Sequence, residues 1–165
     1  LNNAGAAGVM AETPDLSLDD WNEAIATNLT SAFLCAKHQI PAMLSEGSGS
    51  IVFTSSFVGN SVGMPGMAAY AAAKAGIIGL TKVLAAEFSP RGVRVNALLP
   101  GGTDTPGATM ETPETLAFVE GLHAMKRIAR PDEIAESALY LVSDMASFTT
   151  GSALYVDGGV SVTRT

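Results

Sequence analysis

Tyr70 and Lys74 stand four residues apart in an alanine-rich segment, and their side chains are suited to proton transfer. On a helix, this spacing places both side chains on one face. The pKa of a phenol is about 10 in water, so the group exchanges protons poorly at neutral pH. A neighbouring ammonium group favours the phenolate and lowers that pKa. We therefore predict that the pair exchanges a proton during interconversion of a carbonyl and an alcohol.

Three other positions carry groups that such a reaction needs. Ser56 ends a short apolar segment that indicates a buried strand, and ligands bind beyond the carboxyl ends of such strands. Its hydroxyl can donate to a substrate oxygen. Asn28 lies in a helical stretch, where it either serves the site or satisfies nearby backbone groups. Pro100-Gly101 follows a second strand, where glycine allows a ligand to approach the main chain.

The elements that position these residues alternate between helix and strand patterns. Ser17 and Asp20 form a capping pattern, and apolar residues recur after it at helical spacing. Pro41 and then Gly47-Ser48-Gly49 bring that helix to a close. Short β-branched segments alternate with the helices, which indicates an α/β fold with a parallel sheet. The predicted helices span 18–44, 68–89, 113–125 and 130–142, the predicted strands span 50–56, 93–99 and 153–156, and 103–110 forms a loop.

The helix predicted at 68–89 is small or apolar on nearly every side, which indicates burial on more than one side. It is either a central core helix or a helix that packs on both the sheet and a partner subunit. The second alternative is favoured, because an outer helix otherwise needs a polar face. We therefore expect a homo-oligomer, a dimer or tetramer, that forms through the helices at 18–44 and 68–89.

The composition excludes several classes of function. The chain has 165 residues, and its nine lysines and arginines form no cluster, which argues against nucleic-acid binding. Its formal net charge is −7. A single cysteine excludes a disulfide framework and a cysteine-based zinc site, and no metal site is predicted. The sequence shows neither a run of about 18 apolar residues nor a signal-peptide pattern, so we expect no membrane segment and a cytoplasmic location.

Seven short motifs, in order along the chain, resemble those of the single-domain short-chain dehydrogenase/reductase family. The resemblance extends over essentially the whole chain. It implies a Rossmann-like, doubly wound parallel sheet, of which these residues hold strands 4 to 7 with their flanking helices. The motifs are Asn2-Asn3-Ala4-Gly5, Thr27-Asn28-Leu29, Ser56, Tyr70 with Lys74, Arg94-Val95-Asn96-Ala97 with Pro100-Gly101, Arg130-Pro131-Asp132-Glu133-Ile134-Ala135, and Val156-Asp157-Gly158-Gly159.

The resemblance implies an oxidoreductase that transfers a hydride between NAD or NADP and an alcohol or carbonyl substrate. Tyr70 would be the general acid/base, Lys74 would lower its pKa and bind the nicotinamide ribose, and Ser56 would position the reacting oxygen. Asn28 would hold a water that links Lys74 to solvent. The implied coenzyme-binding residues are Asn3, Ala4, Gly5, Tyr70, Lys74, Pro100, Gly101, Thr103 through its backbone and Thr105 through its hydroxyl.

Two features depart from the family pattern. Ser56 lies 14 residues before Tyr70, one more than the commonest spacing, which makes Ser55 a competing candidate. Alternation of side chains along the strand, with the strand alignment, favours Ser56. The glycine-rich turn that holds the coenzyme pyrophosphate is not found. We therefore expect residues 1–165 to be a partial NAD(P)-binding domain, the C-terminal two-thirds of a longer enzyme.

The missing turn leaves an alternative open, namely a non-catalytic fragment or an oligomerisation and binding module on the same scaffold. The isolated 165 residues are then expected to bind NADH and NADPH weakly and, through an exposed sheet edge, to aggregate.

The sequence also supports predictions for the cysteine, the two histidines and four of the methionines. Cys35 is expected to be a buried small residue and His38 a surface residue. His123 lies in the segment that would cover the substrate, although direct contact is the less favoured alternative. The neighbouring loops are apolar to neutral, which favours an uncharged hydroxyl or keto substrate. Four methionines are expected to surround the pocket, and these are Met10, Met64, Met67 and Met110.

Overall fold

A three-stranded parallel sheet forms the centre of the molecule. The structure, a computed structural model, describes residues 1–106 and 112–163, so the predicted pocket residue Met110 lies outside the described part. The strands are β1 (Gly49–Thr54), β2 (Val93–Pro100) and β3 (Ala153–Val156), in the order β1-β2-β3. In the register, Gly49 pairs with Val93 and Ala97 pairs with Ala153. The predicted α/β class with a parallel sheet is confirmed.

The first residues of the chain join the sheet through one bridge rather than a full strand. The Asn2 N–H donates to the carbonyl of Val52 at 2.8 Å, and the Asn2 carbonyl accepts from the Thr54 N–H at 3.0 Å. Of the four strands expected, the earliest is therefore represented by a parallel bridge between Asn2 and Phe53.

A long helix with a π-helical turn in its middle precedes β1. It consists of α1 (Leu18–Ile25), the π turn (Ala26–Thr30) and α2 (Ser31–Ser45). The hydroxyl of Ser17 accepts from the backbone N–H of Asp20 at 3.1 Å, so α1 begins at the predicted cap.

The helix passes through Pro41 and ends at Ser45, just before the Gly47-Ser48-Gly49 segment that was predicted to close it. Proline removes one N–H donor from a helix. Pro41 is exposed, and the carbonyl one turn earlier belongs to exposed Lys37, so water can solvate that carbonyl. The other helices are α3 (Ala68–Phe88), α4 (Pro113–Leu122) and α5 (Pro131–Val142), with 3-10 turns at Thr13–Asp15, Ser89–Arg91, Asp144–Ala146 and Val160–Val162.

The sheet is covered on both faces, which explains the almost continuous apolar sequences of β1 and β2. On one face, Ile51 and Phe53 belong to a core cluster that includes residues of α2 and α3. On the other face, Val52 and Leu98 pack against Leu141 of α5. This doubly wound arrangement brings α3 and α5 to opposite sides of the same strand ends.

The segment Ala68–Arg91 is long and apolar enough to cross a membrane by length and composition alone, although the sequence predicted no such segment. Core helices pass the same test, and α3 packs against β2 and buries Lys74. The outer sides of α2 and α3 nevertheless leave Phe33, Leu34 and Val83 exposed.

Cys35 and His38, which both lie on α2, are exposed. His38 is exposed as predicted. Cys35 is also exposed, so the prediction that it is buried is wrong. It precedes Ala36, which is buried in the core, and one residue of rotation turns Cys35 away from the sheet.

Candidate active site

The carboxyl ends of β1 and β2 open into a cavity of about 510 Å³. Strand β1 ends at Thr54 and β2 ends at Pro100, so the residues that follow them meet at one edge of the sheet. Helices α3 and α5 supply the other walls. The cavity is lined by Leu1, Asn3, Gly5, Thr54, Ser55, Ser56, Tyr70, Lys74, Leu98, Pro100, Gly101, Thr103, Thr105, Pro131, Ile134, Ala135 and Ala138.

The structure therefore brings together eight of the nine residues predicted to bind a coenzyme, namely Asn3, Gly5, Tyr70, Lys74, Pro100, Gly101, Thr103 and Thr105. Ala4 is the exception, because it is exposed and lines none of the described cavities.

Lys74 is buried beside this cavity, with 4% of its surface exposed. Its ammonium group lies over the ring of Tyr70, 5.5 Å from the ring centroid, and donates to the carbonyl of Thr54 at 2.8 Å. That carbonyl is its hydrogen-bond partner among the residues that the structure describes. Burial lowers the pKa of Lys74 to about 8, because a charged amine loses solvation there.

The pKa of Tyr70 is raised above its ordinary value of 10.0, and burial is the main cause. The nearby Ser56 hydroxyl opposes this shift. The expectation that Lys74 lowers the pKa of the phenol stays a prediction. In this structure, removal of water from the phenolate outweighs the effect of the Ser56 hydroxyl on the pKa.

The two neighbouring serines have different environments. The Ser56 hydroxyl accepts from the Val58 N–H at 3.1 Å and lies near the Tyr70 phenol, whose pKa it lowers. The Ser55 hydroxyl instead donates to the carbonyl of Lys74 at 2.8 Å. Both serines line the large cavity. The hydrogen bond of Ser55 links α3 to the end of β1, whereas Ser56 lies near the phenol of Tyr70. The geometry therefore favours Ser56 as the partner of Tyr70.

Asn28 is buried in the π turn, and its side-chain amide forms three hydrogen bonds with the main chain. Its Nδ2 donates to the carbonyls of Ala6 at 2.9 Å and Ala24 at 3.0 Å, and its Oδ1 accepts from the Ala6 N–H at 3.2 Å. It lines neither the 510 Å³ cavity nor the apolar cavity described next. A Cβ added at Gly5 would lie 2.7 Å from Asn28 Oδ1 and 3.3 Å from Lys74 Nζ, so both groups lie next to Gly5.

A second cavity, of about 420 Å³, adjoins the first and has no charged side chain among its described lining residues. Five residues line both cavities and form their boundary, namely Gly5, Ser56, Tyr70, Gly101 and Thr103. The other lining residues are Ala7, Met10, Phe57, Val58, Met64, Met67, Gly102, Thr115, Phe118, Val119 and Leu122, which include three of the four predicted methionines.

Several functional positions were not predicted. The Thr54 carbonyl holds Lys74, and the first turns of α5 line the large cavity through Pro131, Ile134 and Ala135. The position of Thr54 at the end of a strand could have identified it as part of the site. The motif in the first turn of α5 could have identified that helix as a wall of the cavity. His123 lines neither of the two adjoining cavities, in agreement with the alternative that it does not contact substrate.

The chain is similar in sequence to proteins that are named as dehydrogenases and reductases. A family model described as enoyl-(acyl carrier protein) reductase matches residues 1–161. A cyclohexanol dehydrogenase from Acinetobacter sp. is 40% identical over 159 residues, which are 96% of this chain and 61% of that protein. A cis-4-hydroxycyclohexanecarboxylate dehydrogenase from Sinomonas cyclohexanicum is 41% identical over 157 residues, which are 95% of this chain and 63% of that protein.

The fold is also similar to that of solved structures. A gluconate 5-dehydrogenase from Burkholderia cenocepacia, in complex with NADP and tartrate, superimposes with a TM-score of 0.92 at 26% identity. The match covers 99% of this chain and 66% of that one. The chain thus spans less than two thirds of the length of each of these three proteins.

Proposed function

The chain belongs to the short-chain dehydrogenase/reductase family, and on that premise we propose that it carries the catalytic centre of an NAD(P)-dependent oxidoreductase acting on alcohols and carbonyl compounds. One observation supports this most strongly. Tyr70 and Ser56 form part of the boundary between a cavity that contains a buried ammonium group and an apolar cavity. Two reactants held in these two cavities would meet at a proton donor.

The residues of the larger cavity fit a nicotinamide coenzyme. Gly5 borders the cavity, and a side chain there would collide with Asn28, so only main chain can occupy this wall. Lys74 has N–H donors beyond the one bound to Thr54, which suits a ribose hydroxyl. The main chain of Gly101 and Thr103 and the hydroxyl of Thr105 would hold the carboxamide end. When bound, the nicotinamide supplies or accepts the hydride.

Tyr70 would transfer the proton. Burial keeps its phenol protonated, so it can donate to the oxygen of a carbonyl that is being reduced. The ammonium group of Lys74, 5.5 Å from the ring centroid, stabilises the phenolate that remains. The Ser56 hydroxyl, which lines the same two cavities as Tyr70, would hold the same substrate oxygen. In alcohol oxidation the proton moves in the opposite direction.

Asn28 would stabilise the main chain that borders the coenzyme cavity. Its amide holds the main chain at Ala6, next to the coenzyme wall at Gly5. Asn28 Oδ1 and Lys74 Nζ both lie close to the position of a Cβ at Gly5, and this proximity supports a water relay from Lys74 past Asn28. The relay is part of the proposal.

The substrate would be an uncharged secondary alcohol or ketone with an apolar body. The apolar cavity has aromatic and methionine walls and no charged lining residue among those described. A carboxylate or phosphate placed there would lose its hydration without a compensating partner. One relative is named for cyclohexanol, an uncharged alcohol of fitting size, whereas another is named for a cyclohexane carboxylate and agrees with the ring alone.

The full-length protein that contains this chain provides the direct test. It is incubated with NAD⁺ or NADP⁺ and a matched pair of substrates, cyclohexanol and its 4-carboxylate, and formation of reduced coenzyme is followed. We expect turnover with at least one coenzyme and a preference for the uncharged alcohol. Absence of turnover with every alcohol tried would contradict the oxidoreductase assignment, and a preference for the carboxylate would contradict the substrate class.

The exposed apolar residues Phe33, Leu34 and Val83 support assembly into a dimer or tetramer through the 18–44 and 68–89 helices. A Val83→Glu variant is expected to shift the mass in solution, measured by light scattering, toward the monomer. A cytoplasmic location completes the proposal, since a chain with one cysteine needs no oxidising compartment for disulfides.

A further inference from the structure

His123 is a buried titratable residue that the proposed chemistry does not use. It follows α4, its side chain is 1% exposed, and it lines neither of the two cavities that Tyr70 borders. Burial of an imidazole is costly unless both ring nitrogens find partners. Its contacts therefore identify what the side chain holds in place.

Both ring nitrogens are hydrogen-bonded to backbone groups. Nδ1 lies 2.7 Å from the carbonyl oxygen of Val119, and Nε2 lies 3.0 Å from the backbone nitrogen of Gly102. A carbonyl only accepts, so Nδ1 must carry the hydrogen. A backbone N–H only donates, so Nε2 must carry the lone pair. The two contacts together require a neutral ring with the proton on Nδ1.

Three glycines pack around this ring. A Cβ at Gly101 would lie 2.7 Å from Nε2, and one at Gly102 would lie 3.1 Å from Cε1. At Gly158 a Cβ would lie 3.1 Å from Cδ2. Side chains at these positions would displace the imidazole. The loop after β2 and the Asp157-Gly158-Gly159 segment are therefore shaped to receive this ring.

The loop that His123 contacts is the wall between the two cavities. Gly101 and Thr103 line both, and Gly102 lies between them in sequence. Other N–H groups of the loop are held by main chain, since Gly101 donates to Val156 at 3.0 Å and Asp104 donates to Ala129 at 2.9 Å. In the part of the chain that the structure describes, Nε2 of His123 is the side-chain atom that accepts a hydrogen bond from an N–H of this loop, that of Gly102.

We propose that His123 is a positioning residue that couples α4, which covers the apolar cavity, to the Gly101–Thr103 loop, which borders the coenzyme cavity. Val119 is the link, because its carbonyl accepts from Nδ1 and its side chain lines the apolar cavity. One side chain thus fixes a wall of each cavity. This inference rests on the proposed function for what the two cavities bind.

The test compares two substitutions in the full-length protein. His123→Phe keeps a ring but removes the acceptor for Gly102, whereas His123→Gln keeps an acceptor. We expect His123→Phe to raise the KM values for both coenzyme and alcohol about tenfold, since a buried N–H loses its partner. His123→Gln is expected to restore most of both. Phe118→Ala, which alters the apolar cavity alone, is expected to raise the KM for alcohol only.

Two results of this comparison would overturn the proposal. One is equal KM values for the Phe and Gln variants at matched thermal stability, which would show that only ring packing matters. The other is a change in the KM for alcohol alone in His123→Phe, which would remove the coupling.

A measurement on the wild-type protein keeps the proposal testable if the variants fail to fold. Nitrogen NMR shifts of the imidazole and hydrogen exchange of the Gly102 amide are expected to show an Nδ1–H tautomer and slow exchange. An Nε2–H tautomer or fast exchange would overturn the proposal. If the wild-type protein lacks oxidoreductase activity, the proposed function fails, while these NMR results still decide whether His123 holds the loop.

Discussion

Raising the pH from 7 toward 10 is expected to stabilise the folded protein through Lys74. The pKa of Lys74 is lowered from 10.5 to about 8 by burial. Between these two values the unfolded chain binds a proton that the folded chain does not bind. The free energy of unfolding therefore rises with pH in this window. Above pH 10 the raised pKa of Tyr70 acts in the opposite direction, so the comparison stops there.

The size of this effect follows from the change in pKa. Each tenfold change in proton affinity corresponds to about 1.4 kcal/mol, so the full lowering corresponds to about 3 kcal/mol. Between pH 7 and pH 10 about 2 kcal/mol of this is gained, because the unfolded lysine is still partly protonated at the upper limit.

Urea unfolding at several pH values, with wild-type protein and Lys74→Met, measures this difference. The wild-type free energy of unfolding is expected to gain about 2 kcal/mol relative to the variant over that range. Lys82→Met, which removes an exposed lysine from the same helix, is the control and is expected to keep the wild-type slope. Parallel curves for wild type and Lys74→Met would refute the claim that burial lowers the pKa of Lys74.

Three further substitutions test the walls and supports of the site. Gly5→Ala is expected to weaken coenzyme binding about tenfold, because its Cβ would lie 2.7 Å from a hydrogen-bonded Asn28 Oδ1, and an unchanged Kd in a fluorescence titration would contradict this. Asn28→Leu removes three hydrogen bonds to the main chain and is expected to lower the free energy of unfolding by about 2 kcal/mol or more, measured in urea. Ser56→Ala is expected to lower kcat about 10²-fold with little change in Tm, and wild-type kcat would exclude Ser56 from holding the substrate oxygen.

The main architecture, and the meeting of four candidate site residues at one edge of the sheet, could be predicted from local sequence patterns. The apolar runs of β1 and β2 indicated strands buried on both faces, and the parallel arrangement required their carboxyl ends to meet. Ser56 therefore had to lie near Pro100, and the helical spacing of Tyr70 and Lys74 brought them to one face. The cavity at these strand ends is lined by all four.

The features that were missed depend on tertiary packing. The π turn at Ala26–Thr30 differs from an α-helix by one extra residue in the hydrogen-bonded ring, and its sequence carries no distinct signal. The exposure of Cys35 depends on how α2 is rotated against the sheet. The direction of the Tyr70 pKa depends on how much water the fold removes, and the partners of His123 come from segments far apart in sequence.

The role of Tyr70 is the central claim, and a Tyr70→Phe variant of the full-length protein tests it most directly. The substitution removes only the phenolic oxygen and keeps the ring beside Lys74. Turnover of the best uncharged alcohol and binding of the coenzyme are measured together. The account predicts that kcat falls by about 10²–10⁴ while the coenzyme still binds. A variant that retains the wild-type kcat would show that the proton is transferred by another group.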